Sequence, residues 1–201
     1  YGKSDRPDWL ETIPDMACFY SWYLETLGLE GIRTIGFSMG GWIASEIAAM
    51  CNHSISKLML VGAVGIKPNE SEITDIFIIS PAQVLELMFH DPGQAPEYQA
   101  VYGKEFTPEE VMTAEGNREM AVRLCWKPYM HDPRLTGLLQ RVKIPTHMVW
   151  GSNDAIVPVE CGELYKKAIN GSELLVIDDC GHSPHVEKPQ EFIKAALDFL
   201  A

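Results

Sequence analysis

Three short stretches carry side chains whose types and spacing suit nucleophilic chemistry. In G-F-S-M-G, residues 36–40, Ser38 stands between the β-rich run I-R-T-I and an Ala-rich helical pattern, with a third glycine at Gly41. Such glycines let a strand and a helix approach closely while the central residue takes a strained conformation that presents its side chain beyond the sheet. In G-S-N-D-A-I-V-P, residues 151–158, Asp154 offers a carboxylate, with Asp178 and Asp179 as rivals further along the chain. In D-C-G-H-S-P-H-V-E-K-P, residues 179–189, His182 offers an imidazole. A serine hydroxyl is a weak nucleophile until a neighbouring base takes its proton, and an imidazole oriented by a carboxylate is such a base. The chemistry in prospect is acyl transfer to water.

Other uses of these residues compete. A glycine-rich phosphate cradle would need a lysine after the loop or an acidic residue closing a dinucleotide strand, and the sequence supplies neither. Cys180, His182, His185 and Asp179 have a compact C-x-H-x-x-H spacing. A zinc site, however, needs a second separated ligand pair or a matching third ligand, and none is found; His185 reads as a structural histidine or a pocket neighbour. No metal or other cofactor is expected.

The elements that must position these side chains follow from hydrophobic periodicity. Helical spacing of apolar residues over 13–27 predicts a helix with Gly28 as its stop. A strand over G-I-R-T-I-G-F-S leads into a helix ending near Met50, and the continuous apolar run over 57–64 predicts a strand buried on both faces of a parallel sheet. From Pro68 to about Gln140 the composition turns to Pro, Glu, Gln and Met, and Pro81, Pro92, Pro96, Pro108, Pro128 and Pro133 are expected to interrupt short helices. The alternation resumes with strands over 146–151 and 173–178, a helix near 160–169, and a last helix over 189–200 opened by Pro189. The prediction is an α/β fold with a mostly parallel sheet: a core over residues 1–67 and 141–201, interrupted by a helical insertion over 68–140. Ser38, Asp154 and His182 each fall just past a predicted strand, where open parallel sheets build their sites.

The chain order Ser, Asp, His at successive strand ends, the G-x-S-x-G turn and the acid loop G-S-N-D-A-I-V-P together resemble the α/β-hydrolase superfamily, and the resemblance runs from Y-G-K-S-D-R-P to the C-terminal helix. It implies that Ser38 is the nucleophile, that His182 takes its proton, that Asp154 holds the imidazole, and that the backbone N–H of Met39 binds the oxyanion. It also implies that the insertion is a lid and that Val157 faces the substrate pocket. Phe37, Phe89 and Trp126 are further candidates for the pocket wall, although lid aromatics often serve only packing. A serine at the elbow argues against the aspartate-nucleophile branches, epoxide hydrolases and haloalkane dehalogenases. G-F-S-M-G-G is similar to the elbow of the meta-cleavage-product hydrolases, which split carbon–carbon bonds in vinylogous diketones. That group commonly has Asn before the serine and Trp after the histidine, where this chain has Phe37 and Ser183. The expectation is therefore a carboxylesterase-like hydrolase of small-molecule esters. Carbon–carbon hydrolysis and a non-catalytic small-molecule receptor of the same fold are the alternatives.

The resemblance further implies strands and a second oxyanion donor upstream of Tyr1, so these 201 residues alone are expected to be catalytically impaired. The strand over 32–37 is then expected at a sheet edge, with pairing to a second copy as a possible homodimer contact.

Composition narrows the partners. With 201 residues, 46% of them hydrophobic, the chain is large enough for one substantial core. A formal charge of −12 and the lack of any Lys/Arg cluster speak against nucleic acid. No apolar run reaches the 18 or so residues of a membrane span, so no membrane partner is expected. Five scattered cysteines, Cys18, Cys51, Cys125, Cys161 and Cys180, form no C-x-x-C pair and fit a reducing compartment, which makes the cytoplasm the expected location. The N-x-S matches at Asn52, Asn69 and Asn170 carry little weight at that location.

Overall fold

The structure is a computed structural model that describes residues 1–50, 53–95, 98, 102, 103 and 106–201. Cys51, Asn52 and Pro96 lie outside the described residues. Four strands, β1 (Ile32–Phe37), β2 (Ile55–Val61), β3 (Thr146–Gly151) and β4 (Glu173–Ile177), form one sheet in the order β1-β2-β3-β4. All three pairings are parallel. Parallel neighbours need a crossover, and helices supply it: α2 (Met39–Met50) joins β1 to β2, and α6 (Val159–Ala168) joins β3 to β4. The long connection from β2 to β3 holds the helical insertion, with α3 (Pro81–Leu87), α4 (Pro108–Cys125) and the single turn α5 (Leu135–Leu138). A first helix, α1 (Ile13–Thr26), precedes the sheet, and α7 (Pro184–Glu187) and α8 (Pro189–Leu200) follow it.

Alternation along the central strands sends side chains to two cores. Leu58 and Leu60 of β2, with Met148 and Trp150 of β3, pack among Ala44, Ile47 and Ala48 of α2 and Cys161 and Tyr165 of α6. Met59, Val61 and Val149 turn to the opposite face, where Phe192 and Ala196 of α8 cover them. Both faces being covered is why these strands read as unbroken apolar runs. At the other extreme β1 is an edge, with Ile35 and Phe37 more than a third exposed. Among the described residues, no helix is long and apolar enough to cross a membrane.

Two expectations need correction. The prolines of the insertion open helical segments where they were expected to break them: Pro81, Pro108 and, in a short 3-10 turn, Pro92 stand in first turns. Ser80 caps α3 in a reciprocal box with Gln83, and Thr107 caps α4 with Glu110. A first-turn residue has no intrahelical use for its N–H, so proline costs nothing there and its fixed φ favours the helix. The second correction is that β2 ends at Val61, short of Val64, because the backbone turns at Gly62 with φ +53° and again at Gly65 with φ +114°.

Glu160, in the first turn of α6, holds the start of the insertion. Its carboxylate accepts the N–H groups of Asn69 (2.6 Å), Glu70 (3.2 Å) and Ser71 (2.9 Å) and the Ser71 hydroxyl (2.5 Å). The Ser71 hydroxyl, followed by the N–H groups of Asn69 and Ser71, lowers the carboxyl pKa to about 2. A depressed folded-state pKa contributes stability that is present above the ordinary carboxyl value and lost as the pH falls through the depressed one. Melting temperatures measured across pH should therefore fall between about pH 4.5 and 2, and Glu160→Gln should lower the melting temperature at neutral pH while flattening that acid limb. An acid limb of the same steepness in the variant would show that this carboxylate is not the group responsible.

Candidate active site

Only Ser38 separates the end of β1 from the start of α2. The turn closes this tightly because two positions lack a side chain. A Cβ on Gly36 would stand 2.7 Å from the Gly40 oxygen and the Gly41 Cα, and one on Gly41 would stand 2.5 Å from Ala63 Cβ. Ser38 is left at φ +49°, a left-handed conformation that costs a non-glycine residue of the order of 1–3 kcal/mol. Four backbone bonds hold it there. Its N–H donates to Val61 O (2.8 Å), and its carbonyl accepts the N–H groups of Gly41 (3.0 Å), Trp42 (3.3 Å) and Val64 (3.3 Å). Met39 opens the helix, where first-turn N–H groups have no intrahelical acceptor and the helix dipole favours an anion.

The acid loop leaves β3 at Gly151. Asp154 Oδ1 accepts the N–H groups of Ile156 (2.9 Å) and Val157 (2.8 Å), and Oδ2 lies 2.7 Å from His182 Nδ1. Both side chains are withdrawn from solvent, Asp154 completely and His182 to 8% exposure, so water competes little for this bond. A carboxylate only accepts, so Nδ1 carries the ring proton and the Nε2 lone pair stays free. Asp178 and Asp179 are exposed, and Asp179 Oδ1 lies 4.0 Å from His90 Nε2. Two backbone bonds tie the acid loop to the histidine loop, Ser152 N–H to Ile177 O (2.9 Å) and Asn153 N–H to Cys180 O (2.8 Å).

Among the described residues, no hydrogen bond joins the Ser38 hydroxyl to His182. The two meet through the end of β2: Val61 O accepts the Ser38 N–H, and the next residue, Gly62, lies against the imidazole. Nucleophile-to-base bonds are often long until a substrate draws them together. Gly62 escaped the sequence reading. A Cβ there would stand 3.0 Å from His182 Nδ1 and Cε1 and 3.3 Å from Asp154 Oδ2. Its signal was a glycine interrupting the apolar run K-L-M-L-V-G-A-V.

The four pocket candidates have different neighbours. Phe37 rests on His185 (ring centroids 4.6 Å) and on Phe192 of α8 (5.7 Å). His185 is correspondingly lowered in pKa, by burial and then by the nearby His182. Phe89 is buried in a cluster with Tyr98 and Tyr102 (5.0 and 5.4 Å). Trp126 is half exposed beside Phe77 and Tyr129. Val157 is fully buried, its N–H bonded to Asp154 and its carbonyl to Trp150 Nε1 (2.9 Å). The Met39 side chain is pinned by the Tyr1 hydroxyl (3.2 Å) and Cys125 Sγ (3.3 Å) on its sulfur. Burial pushes the Cys180 thiol up to about 12. No group of three or more His, Cys, Asp or Glu able to hold a metal occurs among the described residues.

Residues 1–195 match the family model described as "Alpha/beta hydrolase family". The monoacylglycerol lipase ABHD6 of Mus musculus is 25% identical over 191 residues, which cover 87% of this chain and 56% of the lipase. The 2-hydroxy-6-oxo-6-(2'-aminophenyl)hexa-2,4-dienoic acid hydrolase of Metapseudomonas resinovorans is 24% identical over 215 residues, covering 100% of this chain and 71% of that enzyme. The solved 2-hydroxy-6-oxo-6-phenylhexa-2,4-dienoate hydrolase of Rhodococcus sp. strain RHA1 superposes with a TM-score of 0.77 at 20% identity, covering all of this chain and 76% of the other. At that identity the likeness speaks for the fold.

Gly62→Ala tests the geometry directly. It should lose at least the ~1–2 kcal/mol of a left-handed alanine and displace His182 from Asp154. The downfield proton NMR signal expected of the Nδ1–H bonded to a carboxylate should weaken or vanish. An unshifted signal in a folded variant would show that Gly62 does not support the pair.

Proposed function

This chain belongs to the alpha/beta hydrolase family, and from that premise we propose that it hydrolyses a small molecule at a carbonyl carbon, with Ser38 as nucleophile, His182 as base, Asp154 as the acid that orients it, and the Met39 N–H as an oxyanion donor. The observation that carries the reading is the 2.7 Å bond from His182 to the fully buried Asp154 side chain, together with a serine held at φ +49° at the end of β1. The pair favours hydrolysis over a non-catalytic receptor of the same fold.

The residues act in sequence. As Ser38 Oγ attacks the carbonyl carbon, its proton passes to His182 Nε2, and Asp154 stabilises the imidazolium without taking the proton itself. Negative charge develops on the former carbonyl oxygen, where the Met39 N–H at the start of α2 can receive it. The tetrahedral species collapses by breaking the bond to the leaving group, which takes the electron pair and then the proton from His182. Water, deprotonated in turn by His182, attacks the acyl-serine, releases a carboxylic acid and restores the Ser38 hydroxyl.

For the bond broken, support tips towards carbon–carbon cleavage of a meta-cleavage-type product. Of the two relatives compared by sequence, the dienoic acid hydrolase aligns with the whole chain and the lipase with 87% of it. A 2-hydroxydienoate must first become the vinylogous diketone, its hydroxyl proton moving to C5; from that tautomer the electron pair left on C5 is delocalised onto the conjugated C2 ketone, and the same serine chemistry then breaks the C5–C6 bond. Ester hydrolysis is the second reading, favoured by Phe37 and Ser183 where the dienoate hydrolases commonly carry Asn and Trp.

Two measurements test these readings on the full-length protein. The kcat/KM for 2-hydroxy-6-oxo-6-phenylhexa-2,4-dienoate should exceed that for p-nitrophenyl butyrate by at least about tenfold, a difference in transition-state binding of about 1.4 kcal/mol; the reverse order would select the ester reading. Ser38→Ala and His182→Ala should each remove most turnover, with the double variant no worse than either, and Asp154→Asn should cost about 10³–10⁴ in kcat. Additive losses, or a larger effect from Asp178→Asn or Asp179→Asn, would contradict the assignments.

A further inference from the structure

The carboxylate of Glu187 is buried, with the residue 5% exposed, in a position the proposed reaction does not use. It lies at the end of the single turn α7, five residues after His182. Oε2 accepts the N–H of Gly181, the residue immediately before His182, at 2.6 Å. Oε1 accepts the N–H of Asp91, in the insertion, also at 2.6 Å. Between these bonds the two backbones touch. A Cβ on Gly181 would stand 2.7 Å from the His90 nitrogen and 2.8 Å from Phe89 Cα, so the absence of a side chain at 181 allows the insertion to rest on the histidine loop.

We infer that Glu187 is a positioning residue for His182, and that through its two oxygens it fixes the insertion and the histidine loop in one arrangement. The physical grounds are as follows. A buried carboxylate is costly unless it is fully hydrogen-bonded, and short bonds from two backbone N–H groups to an anion are among the stronger ones available. Satisfying both needs the two N–H groups on either side of one carboxylate, which constrains residues 181 and 91 together. The histidine ring is set from its other side by Asp154 and from beneath by Gly62, and the backbone before it is held at Cys180 O by the Asn153 N–H; the bond from the Gly181 N–H to Glu187 adds the constraint nearest the ring on where Nε2 stands relative to Ser38. Displacements of about an ångström in a reacting group are enough to cost two orders of magnitude in rate. Replacing one oxygen by an amide NH₂ sets donor against donor at one of the two N–H groups while keeping the size of the side chain.

This inference rests on the assignment of His182 as the base of Ser38, and the test separates the two. In the full-length protein, reactive sites are counted by stoichiometric labelling with a fluorophosphonate, and kcat and KM for p-nitrophenyl butyrate are expressed per labelled site. Glu187→Gln should lower kcat per labelled site at least tenfold with KM changed less than twofold. Glu160→Gln serves as a control, since it removes another carboxylate clamp on the insertion, and it should keep kcat per labelled site within twofold of the parent. Kcat per labelled site within twofold of the parent in Glu187→Gln, or an effect confined to KM, would overturn the inference and leave Glu187 a structural clamp. Should Glu187→Gln fail to fold, Glu187→Asp, which keeps both acceptors one methylene short, carries the same comparison with the same two readings. A parent protein that takes no label at Ser38 would overturn the hydrolase reading and this inference with it.

Discussion

The close approach of β1 and α2 is the constraint on which the rest of the structure depends. Strand and helix backbones can come this near only because Gly36 and Gly41 present no side chain to each other or to Ala63. One residue is left to make the reversal, and it takes the left-handed conformation that the geometry demands. A serine in that conformation is strained, and the strain is offset by bonds from Gly41 and Trp42 at the helix start and by bonds with Val61 and Val64, of which the last two require β2 to lie alongside with its end in register. Half of the bonds that hold the turn therefore depend on the pairing of β1 with β2, which ties the reactive residue to the most buried part of the molecule.

Parallel pairing does the remaining assembly. Because β1, β2, β3 and β4 run the same way in sequential order, their carboxyl ends lie along one edge, where the segments that follow them begin. β2 contributes no reacting side chain, yet its end supplies both the acceptor for the Ser38 N–H and the bare floor under the imidazole at Gly62. The insertion is fastened to this framework partly by carboxylates on backbone N–H groups, Glu160 at residues 69–71 and Glu187 at residue 91. A chain with a formal charge of −12 has carboxylates to spare, and some of them act as caps for loops whose backbone would otherwise lack partners.

What could be read from the sequence was what is local or strictly ordered. The strand over 146–151 and the helix over 189–200 have the predicted bounds because unbroken apolar spacing and a first-turn proline specify them within a short window. The order of Ser38, Asp154 and His182, each just past a strand, was legible for the same reason. Proline was misread as a breaker in the insertion, since its effect depends on whether a capping residue such as Ser80 or Thr107 stands before it. The end of β2 was placed too late, because an apolar run does not reveal where a glycine turns the backbone. Gly62 and Glu187 were not identified at all: the partners that give them a role lie 120 and 96 residues away in the chain, and no local periodicity encodes such a meeting. The direction of Phe37, which rests on His185 and Phe192, was likewise decided by α8 packing beside the edge strand.

The most direct test of the central claim, that this turn presents an activated serine, is peptide mapping by mass spectrometry after brief exposure to a fluorophosphonate at neutral pH. The geometry predicts one adduct, on Ser38, whose rate of formation collapses in His182→Ala although the hydroxyl itself is untouched. An adduct on any other residue, or an unchanged rate of labelling at Ser38 once His182 is replaced, would contradict the account.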